Sequence, residues 1–116
     1  MSSLEYFLGV ANQDAYSSLK AKSQFYLGLL YKDGEAGVAK DWKKAETYFL
    51  GVAKKDIDPS VKARAQFSLG VLYKFGVAGL DKNEAEAKRL WTEVATQDVD
   101  PISKAKAQKL FRSIKP

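Results

Sequence analysis

The sequence has no cysteine and no histidine among its 116 residues. Without cysteine there is no disulfide framework, which fits the cytosol but does not exclude export. Without either residue, the usual general base near neutral pH, the Ser-His-Asp and Cys-His nucleophile arrangements and the common zinc and haem ligands are missing. Catalysis would have to use carboxylates, lysine or tyrosine, and no paired site stands out. We therefore expect a protein that is not an enzyme and that has no cofactor and no bound metal.

Long hydrophobic runs are also absent. No apolar stretch approaches the ~20 residues that cross a bilayer, and the segment Met1–Glu5 lacks the basic and apolar regions of a signal peptide. We expect no membrane association and a cytoplasmic location, or a periplasmic or exported one if Met1 was added for expression.

The net charge of +5 leans mildly towards an anionic partner. Surface lysines that maintain solubility are the simpler explanation.

What the sequence does contain is an internal repeat. When Tyr6–Gly37 is aligned with Tyr48–Gly79, at an offset of 42 residues, twenty of the 32 positions are identical. Residues 98–108 form a third, weaker copy of residues 56–66. A period of about 20–50 residues indicates a solenoid or a related array. The predicted organisation is one helical-repeat domain over 1–116, with an N-terminal B-type helix at 1–14, repeats at 15–56 and 57–98, and a C-terminal capping helix at 99–116.

Each repeat predicts two helices, which we call A and B. Asp58 can cap a helix start, Pro59 suits the first helical position, and Gly34 and Gly76 can adopt a positive φ after the last turn. A B helix is predicted to begin after Asn83. Asn83 and Glu86 are three residues apart, which is the spacing of a capping box. The predicted A helices are Ala15–Lys32, Pro59–Lys74 and Ile102–Ile114, and the predicted B helices run from about Ser3 to Gln13, after Asp41 to Lys55 and after Asn83 to Gln97. The predicted fold is an all-α solenoid of six helices in antiparallel pairs.

Glycine recurs inside the A helices, at Gly28 and Gly70. A helical glycine costs ~1 kcal/mol relative to alanine, so its recurrence predicts a crossing where a neighbouring helix comes too close for a Cβ. In the last helix, Arg112 occupies the glycine position and Lys109 the position of Phe67, which is typical of a polar closing cap. The predicted apolar contacts of that helix are Ala105, Leu110, Phe111 and Ile114.

These residues resemble the Sel-one-like repeat, a longer-period relative of the tetratricopeptide repeat. The family pattern is AxxxLGxxY, a glycine pair with an aliphatic residue, an acidic or Asn cap, and then Lys-Ala and an aromatic helix. The second copy matches with Ala65–Tyr73, Gly76, Gly79, Leu80, Asn83 and Ala87, and the first with Ser23, Leu27, Gly28, Tyr31, Gly34, Gly37, Val38, Asp41, Lys44, Ala45 and Tyr48. Three features depart from the family: two residues between the glycines instead of one, a longer B-to-A connection, and Glu86 in place of Lys44 in the second copy.

The resemblance implies a protein–protein interaction module or scaffold that binds a peptide or protein on the concave face lined by the A helices. A repeating aromatic among repeating bases suits an acidic-hydrophobic partner. The alternative is that Phe25 and Phe67 are core residues and the lysines a solvated face. The predicted partner-binding residues are Lys22, Phe25, Leu29 and Lys32 in the first A helix, Arg64, Phe67, Val71, Lys74 and Phe75 in the second, and Lys106 and Lys109 in the third.

The sequence leaves two alternative functions open, a basic nucleic-acid-binding repeat protein and a carboxylate-based enzyme. A second basic ladder of Lys20, Lys62 and Lys104 could serve a nucleic-acid-binding repeat, although no nucleic-acid module is recognisable. A carboxylate-based enzyme is less favoured still. The acidic pairs Asp56 with Asp58 and Asp98 with Asp100 lack the spacing of a calcium loop, and helix capping already explains Asp58 and Asp100. The apolar residues Tyr6, Phe7 and Val10 of the first helix have the next A helix on one side only, so we expect self-association through this edge if the chain was cut from a longer protein.

Overall fold

The computed structural model describes residues 3–12, 17–55, 58–76, 80–97 and 100–113. Within these ranges the chain is all-helical, with six helices and no strand. The helices are α1 (Ser3–Ala11), α2 (Ser18–Asp33), α3 (Trp42–Ala53), α4 (Pro59–Phe75), α5 (Glu84–Thr96) and α6 (Pro101–Ser113). In the described ranges no helix has the length and apolar character to span a membrane.

The predicted order of six helices is confirmed, and most predicted boundaries lie within two residues of the observed ones. The largest difference is at α2, which starts at Ser18 and not at Ala15. Ser17 has an extended backbone and its hydroxyl accepts the amide N–H of Lys20 at 3.2 Å, so Ser17 caps the helix and fixes its first turn. Ala15 and Gln13, the predicted end of the first helix, lie outside the described residues.

Helix ends recur at the interval of the sequence repeat. Gly34 and Gly76 adopt φ values of +73° and +59°, and their N–H groups donate to the carbonyls of Leu30 and Leu72. Asn83 caps α5 as predicted, because its side chain accepts the Glu86 amide at 3.1 Å. The prediction of the second capping-box hydrogen bond, from the Asn83 N–H to the Glu86 side chain, is wrong. The Asn83 N–H donates at 2.7 Å to the carbonyl of Tyr73, and the Glu86 carboxylate pairs with Arg89 on its own helix.

The predicted close crossing at the two glycines is confirmed. A Cβ built on Gly28 would lie 2.4 Å from the ring of Phe49, and one built on Gly70 would lie 2.2 Å from the indole of Trp91. Both rings are fully buried. The Trp91 N–H also donates at 3.1 Å to the carbonyl of Phe67, which gives the buried indole its hydrogen-bond partner. Each glycine is thus a notch that receives the aromatic ring of the following helix.

The helices form two layers that differ in how their members meet. Cα atoms of α4 lie within 8 Å of both α2 and α6, whereas no Cα pair this close joins α1 to α3 or α3 to α5 among the described residues. The buried residues divide into a larger cluster spread over α2 to α5 and a smaller one around Trp91, Val94 and Ala107. The prediction for α6 is wrong in one position, because Ala105 is exposed and Ala107 is buried. Leu110 is half-buried as expected, Ile114 is outside the described residues, and nothing is described of the Phe111 side chain.

Candidate functional site

A groove of about 460 Å³ runs across the layer formed by α2, α4 and α6. Its floor is apolar: Phe25 and Leu29 belong to or pack against the larger core cluster, and Phe67 and Val71 pack against the smaller one. The groove therefore lies where the two clusters meet, and its floor is the outer surface of the core. The remaining lining residues are Lys32, Arg64, Ser68, Asp100, Ile102, Ser103 and Lys106.

Seven of the eleven residues predicted from the sequence line this groove. They are Phe25, Leu29, Lys32, Arg64, Phe67, Val71 and Lys106. The other four do not. Lys22 and Lys109 are exposed, Phe75 is 58% exposed at the end of α4, and the Lys74 ammonium lies 3.5 Å from a carboxylate oxygen of Glu84.

The two predicted aromatics differ in exposure. Phe25 is only 7% exposed and its ring centroid lies 5.8 Å from that of Phe49, so it is a core residue whose edge reaches the groove. Phe67 is half-buried, and its ring lies 6.2 Å from that of Trp91. Phe67 is thus the aromatic side chain with more surface to offer a ligand.

A buried carboxylate orients Arg64 in the groove wall. Asp100 lies at the start of α6, and it accepts hydrogen bonds from the Ser103 hydroxyl and, at 3.3 Å, from Nε of Arg64. Burial raises the pKa of Asp100, but the hydrogen bond from Ser103 and the bond and charge of Arg64 outweigh this effect and hold the pKa below its usual value. The Nε–H group of Arg64 is therefore already hydrogen-bonded within the protein.

A related arrangement occurs one repeat earlier, with the serine on the preceding A helix and a lysine that acts through its charge. Asp58 caps α4 by accepting the Val61 amide at 3.3 Å, and it accepts a further hydrogen bond from the Ser18 hydroxyl of α2. The bond from Ser18 lowers the pKa of Asp58, and the nearby charge of Lys22 lowers it further. A basic residue of one A helix thus faces the capping aspartate of the next A helix in both cases.

Lys106 is the third member of this basic series, 42 residues after Arg64. It is exposed, it lines the groove, and it forms no salt bridge with a described residue. Lys32, on the opposite wall, pairs at 2.9 Å with Asp33, its neighbour in sequence. Of the three bases in the groove, Lys106 is therefore the one whose charge is least engaged by the protein itself.

Four lining residues were missed by sequence reasoning: Ser68, Asp100, Ile102 and Ser103. The sequence predicts Asp100 as a helix cap and not as a residue of the groove. A signal was present, because Lys22 and Arg64 each precede a capping aspartate by 36 residues. Ile102, 64% exposed at the groove margin, occupies the position of Ser60 in the preceding A helix, and the repeat alignment gave no indication of it.

The features behind the alternative functions are arranged differently. Each lysine of the second ladder, Lys20, Lys62 and Lys104, is half-buried. No group of three acidic residues able to hold a metal ion occurs in the described ranges, and Asp56 and Asp98 lie outside them. The Tyr73 hydroxyl donates to Glu46 at 2.7 Å, and burial together with this carboxylate raises the pKa of Tyr73. A phenol held in this state is a poor proton donor near neutral pH.

A second, smaller cleft of about 300 Å³ lies on the opposite surface, between α3 and α5. Leu69 and Tyr73 of α4 line its base, and charges of both signs surround it, among them Lys54, Arg89 and Glu93. Glu93 accepts a hydrogen bond at 2.8 Å from the side-chain amide of the buried Gln66. This cleft has mixed charge, in contrast to the basic groove across the A helices.

Comparisons of the chain with protein-family models, with curated proteins and with solved structures found no match. The resemblance to the Sel-one-like repeat therefore stays a prediction that rests on the repeated residues, and function has to be argued from the groove.

Proposed function

We propose that this chain is a helical-repeat module of the Sel-one-like kind that binds a segment of another protein in the groove across α2, α4 and α6. The segment would be extended or helical, and it would combine a large apolar side chain with neighbouring acidic ones. Support for the repeat architecture comes from the caps and glycine notches that recur 42 residues apart.

The observation that carries the binding proposal is the combination of an apolar floor with bases on three separate helices. Phe67 and Val71 offer hydrophobic surface, and Lys32, Arg64 and Lys106 surround it from α2, α4 and α6. An apolar anchor gains free energy from leaving water, and the cations orient acidic groups beside it. Because the bases lie on three helices, a ligand segment would have to cross the groove to meet them all.

Arg64, which pairs with Asp100, and Lys106, which forms no salt bridge with a described residue, have different roles in this proposal. Arg64 is held by Asp100, so replacing it would both remove a ligand contact and leave a buried carboxylate without its partner. Lys106 has no such structural contact within the described residues. Substitution of Lys106 therefore tests the charge of the groove with the least disturbance of the fold.

A peptide library displayed on phage and selected on the folded protein would test the proposal. We expect enrichment of sequences with a large apolar residue beside Asp or Glu. For a synthesised peptide from the selection, Phe67→Ala should weaken binding by about 1–3 kcal/mol, and Lys106→Glu should mainly slow association. Circular dichroism must first show that each variant is folded.

The matched control is Lys40→Glu, because Lys40 is an exposed lysine at the turn between α2 and α3, away from the groove. It makes the same charge change and should leave binding unaltered. A peptide that binds folded Phe67→Ala protein normally would move the site off this groove. Steep weakening of a ligand between low and moderate salt would instead favour a polyanion such as a nucleic acid.

A further inference from the structure

One end of the molecule presents an apolar surface that no described residue covers. We call it the N-terminal face, and it consists of Tyr6 and Phe7 on α1 and Leu19 and Tyr26 on α2. Tyr6, Leu19 and Tyr26 are 46%, 48% and 42% exposed. The ring of Phe7 stacks on that of Tyr26 at 5.3 Å and meets that of Tyr6 at 5.6 Å, so the aromatic residues form one continuous patch.

The second copy of the repeat shows that these positions are suited to burial. Leu19 corresponds to Val61, which is 4% exposed, and Tyr26 corresponds to Ser68, which is 6% exposed. Val61 belongs to the core cluster that includes residues of α2 and α3, the preceding helix pair. The difference in exposure thus arises because a helix pair precedes α4, whereas none in the described chain lies against α2 on this side.

The chain also contains a template for what fits against α1. Residues 6–11 of α1 are identical to residues 48–53 of α3. In α3, the Tyr48 ring stacks on Tyr31 of α2 at 5.9 Å, with 11° between the ring planes, and the Phe49 ring fills the notch at Gly28. In the described part of the chain, no tyrosine of a preceding helix stacks on Tyr6 and no helical glycine receives the Phe7 ring.

We propose that the N-terminal face binds a helix of another polypeptide that carries the Leu-Gly-x-x-Tyr pattern of α2. The glycine would admit the Phe7 ring, and the tyrosine would stack on Tyr6, as Gly28 and Tyr31 receive Phe49 and Tyr48. Entry of Phe7 into the notch would require its ring to leave Tyr26, on which it now stacks. This site is separate from the groove, and the proposal does not rest on the proposed groove function.

A second copy of the chain is a poorer occupant of this face. The notches of α2 and α4 are already filled by Phe49 and Trp91. The remaining A helix, α6, carries Arg112 where the others have glycine, so it has no notch to offer. Head-to-tail stacking of copies is therefore disfavoured by the sequence of α6.

The test uses a synthetic peptide of residues 17–34, which copies α2 and its caps, titrated into the full-length protein. We expect saturable binding that shifts the NMR signals of Tyr6, Leu19 and Tyr26. A peptide with Gly28→Leu should bind about tenfold more weakly or not at all, because the leucine side chain would occupy the space of the Phe7 ring. In the protein, Leu19→Lys and Tyr6→Lys should weaken binding, and both sites are exposed enough for the fold to persist.

The Lys106→Glu protein is the control that separates this face from the groove, and it should bind the peptide normally. Equal binding of the wild-type and Gly28→Leu peptides would overturn the proposal, as would binding that Leu19→Lys leaves unchanged. The competing occupant is a second copy of the chain. If the protein alone sediments as a dimer that Leu19→Lys dissociates, the face is a self-association surface and the proposal is wrong.

Discussion

At Gly28 and Gly70, the volume that a methyl group would need is occupied by an aromatic ring of the following helix. The sequence predicted the close approach, because glycine inside a helix is unfavourable unless something requires its small size. It also predicted that small residues of one helix receive aromatic residues of the next, with Phe49 and Trp91 among them. Which ring enters each site was left open, since that depends on the rotation of each helix about its axis. A recurring glycine indicates where contact occurs and leaves open which atoms make it.

We expect Gly70→Ala to lower the free energy of unfolding, because its methyl group would overlap Trp91 and overpacking typically costs about 1–3 kcal/mol. Gly70→Leu should cost more. The matched control is Gly9→Ala, at a helical glycine with no atom within 4 Å of the added Cβ, which should be stabilising by up to about 1 kcal/mol. Urea unfolding measures both. Equal effects of the two alanine substitutions would contradict the assignment of the notch.

The lowered pKa values of Asp58 and Asp100 predict that the protein loses stability in acid. Because the folded protein holds both pKa values below the ordinary carboxyl value, their contribution is present above the unfolded pKa and is lost as the pH falls through the folded one. The free energy of unfolding should therefore decrease below about pH 4. Asp100→Asn should be less stable at neutral pH and should lose less stability on acidification than the wild type.

Thermal unfolding at several pH values measures this effect. The control is Glu35→Gln, in the exposed turn after α2, which should leave the acid dependence unchanged. An Asp100→Asn protein with the same acid dependence as the wild type would show that the carboxylate does not contribute through its contacts with Ser103 and Arg64.

Among the helices, boundaries were predictable where one residue type fulfils one local role. Asp41, Asp58 and Asn83 cap the helices that the sequence assigned to them. The start of α2 was less predictable because Ser17 and Ser18 are both capable of capping, and the structure uses the Ser17 hydroxyl for the cap and that of Ser18 for a bond to Asp58. Local propensity predicts that a helix starts here. The hydrogen bond from Ser18 to Asp58, 40 residues away in the sequence, decides that Ser17 is the serine that caps it.

The cap of α5 offers a test at this scale. Asn83→Ala should destabilise the protein by about 1 kcal/mol, because the Glu86 amide would lose its acceptor. Asn83→Asp should be nearly neutral, since aspartate accepts the same bond. If alanine and aspartate prove equally destabilising, the backbone bond from Asn83 to Tyr73 fixes this helix start and the side chain does not.

For the molecule as a whole, the sequence predicted six helices and a surface lined by the A helices. The groove could be predicted only in part. Helical periodicity places Lys22 beside Phe25 and Lys109 beside Lys106, but the crossing of α2, α4 and α6 decides which of them face the groove. The division of the core into two clusters also depends on the angle between successive helix pairs. That angle cannot be derived from a single sequence.

Stability should be uneven along the chain. Helix α4 contacts α2, α3, α5 and α6, whereas α1 packs on α2 alone within the ranges that the structure describes. In native-state hydrogen exchange, amides of α4 should therefore exchange most slowly and those of α1 early. Adding the peptide of residues 17–34 should slow exchange in α1. Exchange in α1 as slow as in α4 in the protein alone would mean that the N-terminal face is already covered.

The unequal contacts within the two layers have a mechanical consequence. Spreading the A helices would break the bonds from Ser18 to Asp58 and from Arg64 to Asp100, whereas moving α3 and α5 towards each other only narrows the cleft between them. Separation of α2, α4 and α6 is therefore opposed by hydrogen bonds between these helices. We therefore expect a ligand bound between α3 and α5 to resist narrowing of that cleft.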